Sequence, residues 1–409
     1  MHSVLGMLFI VVVALAVSSN RHAVVWKTVF TAFFIQAAVG GIALFSHWGN
    51  SALNAAANVI ASLLSYSRAG IDFMFGQLAA YDGPVGFVFA INVLPVIVFF
   101  SAFIAVLYHL GVMMWVVRIL GGGLRRLLGT SHAESMSAAA NIFVGQAEAP
   151  LVVKPFIPAM TRSELFAVMV GGLSTIAGSV MAGYVALGIP LEYLVTASFM
   201  AAPGGLMMAK LIEPELESPA SPQPGDEAAT PRYTNVIDAA ASGALDGLRM
   251  AAAIAAMLVA FVALIALVNG LLQFFGSFVG LDEITLEQLL GFILSPVAWL
   301  LGIPWAEAST AGSLIGQKFI LNEFVAYVAF SDLSNSLSPI TQAIVIFALC
   351  GFANLSSIAI LLGGLGAIAP TRRDDISRLG VRALVAATLA NLMSAALAGF
   401  FLSLAGNTG

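Results

Sequence analysis

Apolar residues in this chain fall in long unbroken tracts. They neither alternate with polar ones, as strands do, nor keep to the one-sided stripe of a surface helix. About 20 apolar residues suffice to cross the hydrocarbon core of a bilayer. On that measure the pattern predicts about eight spans: Ser3–Ser18, Trp26–Phe45, Gly86–Leu110, Glu164–Ala186, Leu191–Leu211, Leu248–Phe275, Ile340–Ala369 and Val381–Leu404. Two further tracts, Ser135–Met160 and Trp305–Phe330, each carry an acid, a glycine and other polar groups near the middle. Pro150, Pro155 and Pro158 also interrupt the first of them. Broken backbone at membrane depth is tolerated where protein buries it, so these two read as re-entrant helical hairpins. The predicted fold is an all-α polytopic membrane protein, with eight transmembrane helices, two re-entrant hairpins in inverted repeats, and interfacial helices around Arg118–Arg126 and Leu281–Gly302. Ser3–Ser18 lacks a basic stretch ahead of it and an obvious cleavage site after it, so it reads as a retained span.

Composition removes the competing classes. The chain is 60% hydrophobic and 9% charged, with a mean hydropathy of +0.99, which excludes a soluble globular domain. In lipid only helices or closed barrels satisfy their backbone, and continuous apolar tracts favour helices. One cysteine, Cys350, leaves no intrachain disulfide framework, and the five histidines show no metal-ligand spacing. Gly121-Gly122-Gly123 is not followed by the Lys-Ser/Thr of a phosphate loop, and there is no room for a nucleotide-binding domain. Three basic clusters bear on topology: Arg21 with Lys27, Arg118 with Arg125 and Arg126, and Arg372, Arg373, Arg378 and Arg382. Eight spans and two non-crossing hairpins put all three on one side, which the positive-inside rule makes cytoplasmic, with both termini outside. The Pro-, Ser- and acid-rich stretch Glu213–Tyr233 reads as a disordered cytoplasmic linker between halves.

The polar breaks carry the chemistry. Gly145-Gln146-Ala147-Glu148 in one half is echoed by Gly316-Gln317 with Asn322-Glu323 in the other, and Leu173-Ser174-Thr175-Ile176-Ala177 by Leu355-Ser356-Ser357-Ile358-Ala359. Paired helix interruptions in two halves point to a secondary transporter's midplane binding site. An ionisable residue inside the membrane is functional by default. Gln146, Glu148, Glu323, Asn354, Ser356 and Ser357 suit a neutral, hydroxyl- or amide-bearing solute, and a vicinal diol is a natural donor pair for Glu323. Phe352 offers a planar ring an apolar face. Asn141, Thr175 and carbonyls freed at the breaks are hard oxygen ligands for a small cation. Each has a plainer role too. Asn141 and Thr175 serve equally as interhelical hydrogen-bond partners. A serine bonds back to its own helix, Phe352 fits a core, and Lys154 or Lys318 can pair the acids.

At these residues the chain resembles the concentrative nucleoside transporters of the shorter bacterial type. The likeness rests on Asn141–Pro150 (NIFVGQAEAP), Asn322–Tyr327 (NEFVAY) and Gly351–Ser357 (GFANLSS), in the family's order from Gly86 onward. It implies a homotrimer in a bacterial inner membrane, each protomer having a fixed scaffold and a mobile transport domain that works elevator-fashion. The corresponding division is 1–110 scaffold spans one to three, 111–213 first transport repeat, 214–233 linker, 234–280 scaffold span six, and 281–409 second transport repeat. The resemblance places Gln146 and Glu148 at the nucleobase with Val180 nearby, Glu323, Asn354 and Ser357 at the ribose, and Phe352 against the nucleoside. It places Na⁺ as the coupling ion on Asn141, Thr175 and the carbonyls of Val144 and Ile176, and implies no other cofactor, no nucleic acid partner and a substrate such as uridine. Ala147 stands where the family commonly has a hydroxyl, which bears on base preference, and Thr175 stands where serine is common. The alternatives are proton coupling through Glu148 or Glu323, an intramembrane hydrolase, and a channel. No nucleophile–base arrangement supports the hydrolase, and a channel needs a continuous polar pore.

Overall fold

The structure is a computed structural model describing residues 2–80, 86–146, 148–219, 233–280 and 284–406, and these are helical with irregular connections. From the N-terminus come α1 (His2–Ala16), α2 (Trp26–Phe45), α3 (His47–Ser65), α4 (Ser67–Phe75) and a short α5 (Phe89–Asn92) leading into α6 (Leu94–His109). Then α7 (Val112–Leu128) opens a run of α8 (His132–Ala140), α9 (Ala149–Val152), α10 (Arg162–Ser174), α11 (Gly178–Ala186) and α12 (Leu191–Ile212). After α13 (Val236–Gly276), the same order recurs in α14 (Leu286–Leu300), α15 (Trp305–Ile320), α16 (Glu323–Leu333), α17 (Pro339–Leu349), α18 (Leu355–Ile368) and α19 (Arg373–Gly406). Helix starts obey local chemistry: Ser131 with Glu134, Thr161 with Glu164, and Thr285 with Gln288 each form a capping box that satisfies the first orphan N–H groups.

Among the described residues, six helical stretches are long and apolar enough to cross a membrane. The eight expected spans are completed by the 15-residue α1 and by the α17–α18 pair, each apolar but shorter. The helices form two groups by packing. α6 lies along α13, where a Cβ on Gly243 would meet Ser101 O at 2.7 Å and one on Gly247 would meet Val98 Cα at 2.8 Å. This is the close approach that small residues four apart allow. α1 and α2 pack on α12 and α19. The α10–α11 stretch is buried over most of its length, whereas α13 presents most of its surface outward.

Several boundaries differ from the expected ones. Span four is not continuous but unwinds at Thr175–Ala177, and span seven unwinds at Cys350–Asn354. Span six starts at Val236 rather than Leu248, and its 41 residues extend on the order of 60 Å at 1.5 Å per residue, well beyond the hydrocarbon core. The last basic cluster is not a free connection: α19 begins at Arg373, so Arg378 and Arg382 are helical. Arg372 donates to Met160 O at 2.6 Å, and Arg382 donates to Val17 O at 2.8 Å and to Glu213 at 2.9 Å. α14 folds back on α15 with a bend of 115°. In the first hairpin, the three prolines leave only α9 and a 3₁₀ turn at Ile157–Ala159 after the break.

The start of the expected linker is ordered, while 220–232 lie outside the described residues. Glu213 is buried and bonded to Arg162 as well as Arg382. Close by, Lys210 in the last turn of α12 contacts Glu134, donates to Ser163 Oγ at 2.9 Å and lies 3.5 Å from Glu215. Glu134 is 1% exposed, so removing its partner strands a charge. Lys210→Met is expected to cost about 3–5 kcal/mol, read as a lowered melting temperature in detergent. Adding Glu134→Gln should restore most of the loss; no recovery in the double variant would mean that the charge pair is not what Lys210 supplies.

Candidate functional site

The polar breaks, distant in sequence, meet in one place. Gly178 N donates to Phe143 O at 2.9 Å, so the unwound part of α10–α11 is stitched to the break in the first hairpin. Phe352 N donates to Thr175 O at 3.1 Å, which joins the two unwound spans to each other. Glycines permit the approach: a Cβ on Gly172 would lie 2.9 Å from Gln146 Cβ, and one on Gly178 would lie 2.8 Å from Phe143 O.

A cavity of about 380 Å³ opens where these breaks converge. Gln146, Glu148, Val180, Glu323, Phe352, Asn354 and Ser357 all line it, so every expected substrate residue is brought together. The N-termini of α16 and α18 both open onto it, capped by Asn322 and Asn354. Asn354 Oδ1 accepts from Ser357 N at 2.9 Å and from Ser356 Oγ at 2.7 Å. That fixes its amide, and Nδ2 then donates to Glu323 Oε2 at 3.0 Å. Tyr184 OH donates to Glu323 Oε1 at 3.0 Å. A carboxylate has about four lone-pair sites, so these two bonds leave acceptor capacity suited to a hydroxyl of a bound solute.

Across the cavity, Gln146 Nε2 donates to Ser357 Oγ at 3.3 Å, while its Oε1 is buried without a partner. Asn322 Nδ2 is likewise buried and unpartnered, although Asn322 Oδ1 caps α16 by accepting from Val325 N at 2.9 Å. A buried unsatisfied acceptor and donor on one cavity need a counterpart that a ligand can supply. Glu148 Oε2 accepts from Gly145 N at 2.7 Å and closes the turn of the first hairpin. Ala147, expected to bear on base preference, lies outside the described residues. A second cavity of about 280 Å³, between α6 and this hairpin, shares Glu148 with the first.

Of the four expected cation residues, Asn141 and Thr175 meet at Gly171. Asn141 Nδ2 donates to Ser137 O at 3.0 Å, leaving Oδ1 buried and without a partner. Thr175 Oγ1 donates to Gly171 O at 2.9 Å, the plain back-bond, and keeps its oxygen lone pairs. Both side chains lean on Gly171, whose Cβ would lie 3.1 Å from Asn141 Nδ2. Val144 and Ile176 lie in the non-helical breaks.

The expected lysine partners do otherwise. Lys154 is exposed. Lys318 is buried and donates to Ala348 O at 2.8 Å and to Asn391 Oδ1 at 2.7 Å. The basic residue that lines the cavity is Arg249, from α13, paired with Asp246 at 3.1 Å. Sequence reading missed Tyr184, Asn322 as a cavity donor, Arg249 and Asn391. The available signals were a tyrosine and an asparagine standing alone in apolar spans, and a charge at the start of the apolar portion of α13.

Comparison with known proteins agrees along nearly the whole chain. Residues 5–78 match the family described as Na+ dependent nucleoside transporter N-terminus, 90–191 match nucleoside recognition (Gate), and 193–399 match Na+ dependent nucleoside transporter C-terminus. An uncharacterized transporter of Haemophilus influenzae is 52% identical over 98% of both chains. The nucleoside permease NupC of Helicobacter pylori is 47% identical, again over 98% of both. The structure of CNTnw in an inward-facing substrate-bound state superposes with a TM-score of 0.95 at 52% identity, covering 99% of this chain and 98% of that one.

Proposed function

This chain belongs to the concentrative nucleoside transporter family, a multi-pass membrane family of transporters rather than enzymes, and from that membership we propose that it is a Na⁺–nucleoside symporter of the bacterial inner membrane. The observation that supports the substrate half is the acceptor capacity left on Glu323, which Tyr184 and Asn354 orient, on the same cavity as the unpartnered Oε1 of Gln146. The first accepts from a ribose hydroxyl; the second accepts an N–H from a base. Gln146 and Glu148 recognise the base with Val180 beside it, Glu323, Asn354 and Ser357 hold the ribose, and Phe352 packs on the nucleoside. Na⁺, as co-transported cargo, is held by Asn141, Thr175 and the carbonyls of Val144 and Ile176. The orphaned Asn141 Oδ1 fits this role because a buried acceptor without a donor is satisfied by a cation.

Transport takes the form of an elevator-type alternating-access cycle in a homotrimer. The packing supports α6 with α13 as the fixed part of each protomer. α1 and α2, held on α12 and α19, move with the two hairpins and the broken helices. Uridine uptake into proteoliposomes under an inward Na⁺ gradient is the test, with K⁺ and a pH gradient as controls. Accumulation driven by Na⁺ alone is the expected result. Accumulation driven only by the pH gradient would keep the substrate and move coupling to Glu148 or Glu323, and no uptake under either would reject uridine.

A further inference from the structure

A helix that ends inside a membrane leaves its last carbonyls without partners, and something must take them up. α10 and α17 both end this way, at Ser174 and Leu349. One side chain serves both: Asn391 Nδ2 donates to Ser174 O at 2.7 Å and to Cys350 O at 2.9 Å. Its Oδ1 accepts from Lys318 Nζ at 2.7 Å, and Lys318 donates again to Ala348 O at 2.8 Å. Asn391 lies on α19 and Lys318 on α15, so four helices are tied at one buried amide that is 2% exposed.

The segments just beyond the two tied carbonyls lead to different ligands. After Ser174 the chain runs into Thr175 and Ile176, on the cation side. After Cys350 it runs into Phe352 and Asn354, on the nucleoside side. The two segments touch through the Phe352 N–Thr175 O bond at 3.1 Å. There is no slack between them: a Cβ on Gly351 would sit 2.5 Å from Asn391 Oδ1 and 2.7 Å from Ser174 O. Packed elements of this kind shift between discrete arrangements rather than deform smoothly. A backbone change at 175–176 is therefore delivered to 352–354.

We propose that Asn391, seated by Lys318, is the positioning residue through which cation binding and nucleoside binding are coupled. This rests on the Na⁺ and nucleoside assignments under Proposed function. The amide is suited to it because it alone combines two donors for the two carbonyls with an acceptor for the lysine. A residue that merely satisfied two carbonyls would matter to stability and leave the coupling untouched.

The test is uridine affinity of the purified protein with and without saturating Na⁺, in wild type and in Asn391→Leu, which keeps bulk and loses every hydrogen bond. Coupling between sites is typically about 5- to 150-fold in affinity. We expect Na⁺ to change uridine affinity within that range in wild type and by less than about twofold in the variant. Na⁺ alone should still raise the melting temperature of both, which shows that the cation binds. A wild-type coupling factor in Asn391→Leu would overturn the proposal and leave the Na⁺ assignment standing. No effect of Na⁺ on wild type would overturn that assignment, and the proposal with it. Should Asn391→Leu not fold, Asn391→Ser serves, since one hydroxyl donor cannot hold both carbonyls, and the same outcomes decide.

Discussion

Glu323→Gln should lower uridine uptake at least about tenfold, because a charge-assisted hydrogen bond is roughly twice as strong as a neutral one. The surroundings make the loss specific. Asn354 cannot turn its amide, since Ser356 and Ser357 hold its oxygen. A glutamine at 323 must therefore aim its oxygen at Asn354 Nδ2, and its amine takes the other position, toward Tyr184 and the cavity. An acceptor site for the ribose becomes a donor. A difference of about 1.4 kcal/mol, the gap between a neutral and a charge-assisted bond, is already tenfold in affinity. Uptake kinetics and equilibrium binding of uridine check this, with 2′-deoxyuridine as the substrate that should lose least. Unchanged kinetics in the variant would remove Glu323 from the ribose contact.

Asn141→Ala should raise the Na⁺ concentration for half-maximal uptake by about tenfold or more, while the apparent uridine affinity at saturating Na⁺ stays near wild type. The orientation of Asn141 is set by its Nδ2 bond to Ser137 O at 3.0 Å, so Oδ1 points elsewhere and has no protein partner. A hydrogen bond or equivalent contact to a charged group contributes about 1.5–3 kcal/mol, which corresponds to tenfold and upward in the concentration needed. The measurement is initial uptake against Na⁺ at constant ionic strength. An unaltered Na⁺ curve would place the cation away from Asn141, leaving its oxygen an unexplained buried acceptor.

The hairpins were legible because an acid within an apolar tract is conspicuous whatever surrounds it. Both Gln146-Ala147-Glu148 and Asn322-Glu323 stand out in this way. The unwinding of spans four and seven was legible only in part: Leu173–Ala177 stands out as a polar interruption and the chain unwinds there, whereas its echo Leu355–Ala359 is helical and span seven unwinds just before it, at Cys350–Asn354. Cys350–Asn354 is mostly apolar or small, and nothing in its own composition forces a helix to stop. Helix limits failed for a related reason: α13 and α19 continue past their apolar portions into charged turns that an apolar-run criterion leaves out. Asp246, which pairs with Arg249 on the cavity wall, and Arg378 lie in those turns.

A bundle of membrane helices with two interrupted segments can be read from the chain alone, because covering a fixed thickness of hydrocarbon is a local demand that each tract meets by itself. The candidate polar residues can be read the same way, because an unpaired polar group in that setting needs a reason. Which of them meet is a matter of three-dimensional packing. Gln146 bonds Ser357, 211 positions away, and Asn391 bonds Ser174, 217 away. Such bonds satisfy backbone and side-chain groups that lipid cannot, and the partner that satisfies them is chosen by how the helices pack, which leaves no period in the chain to read.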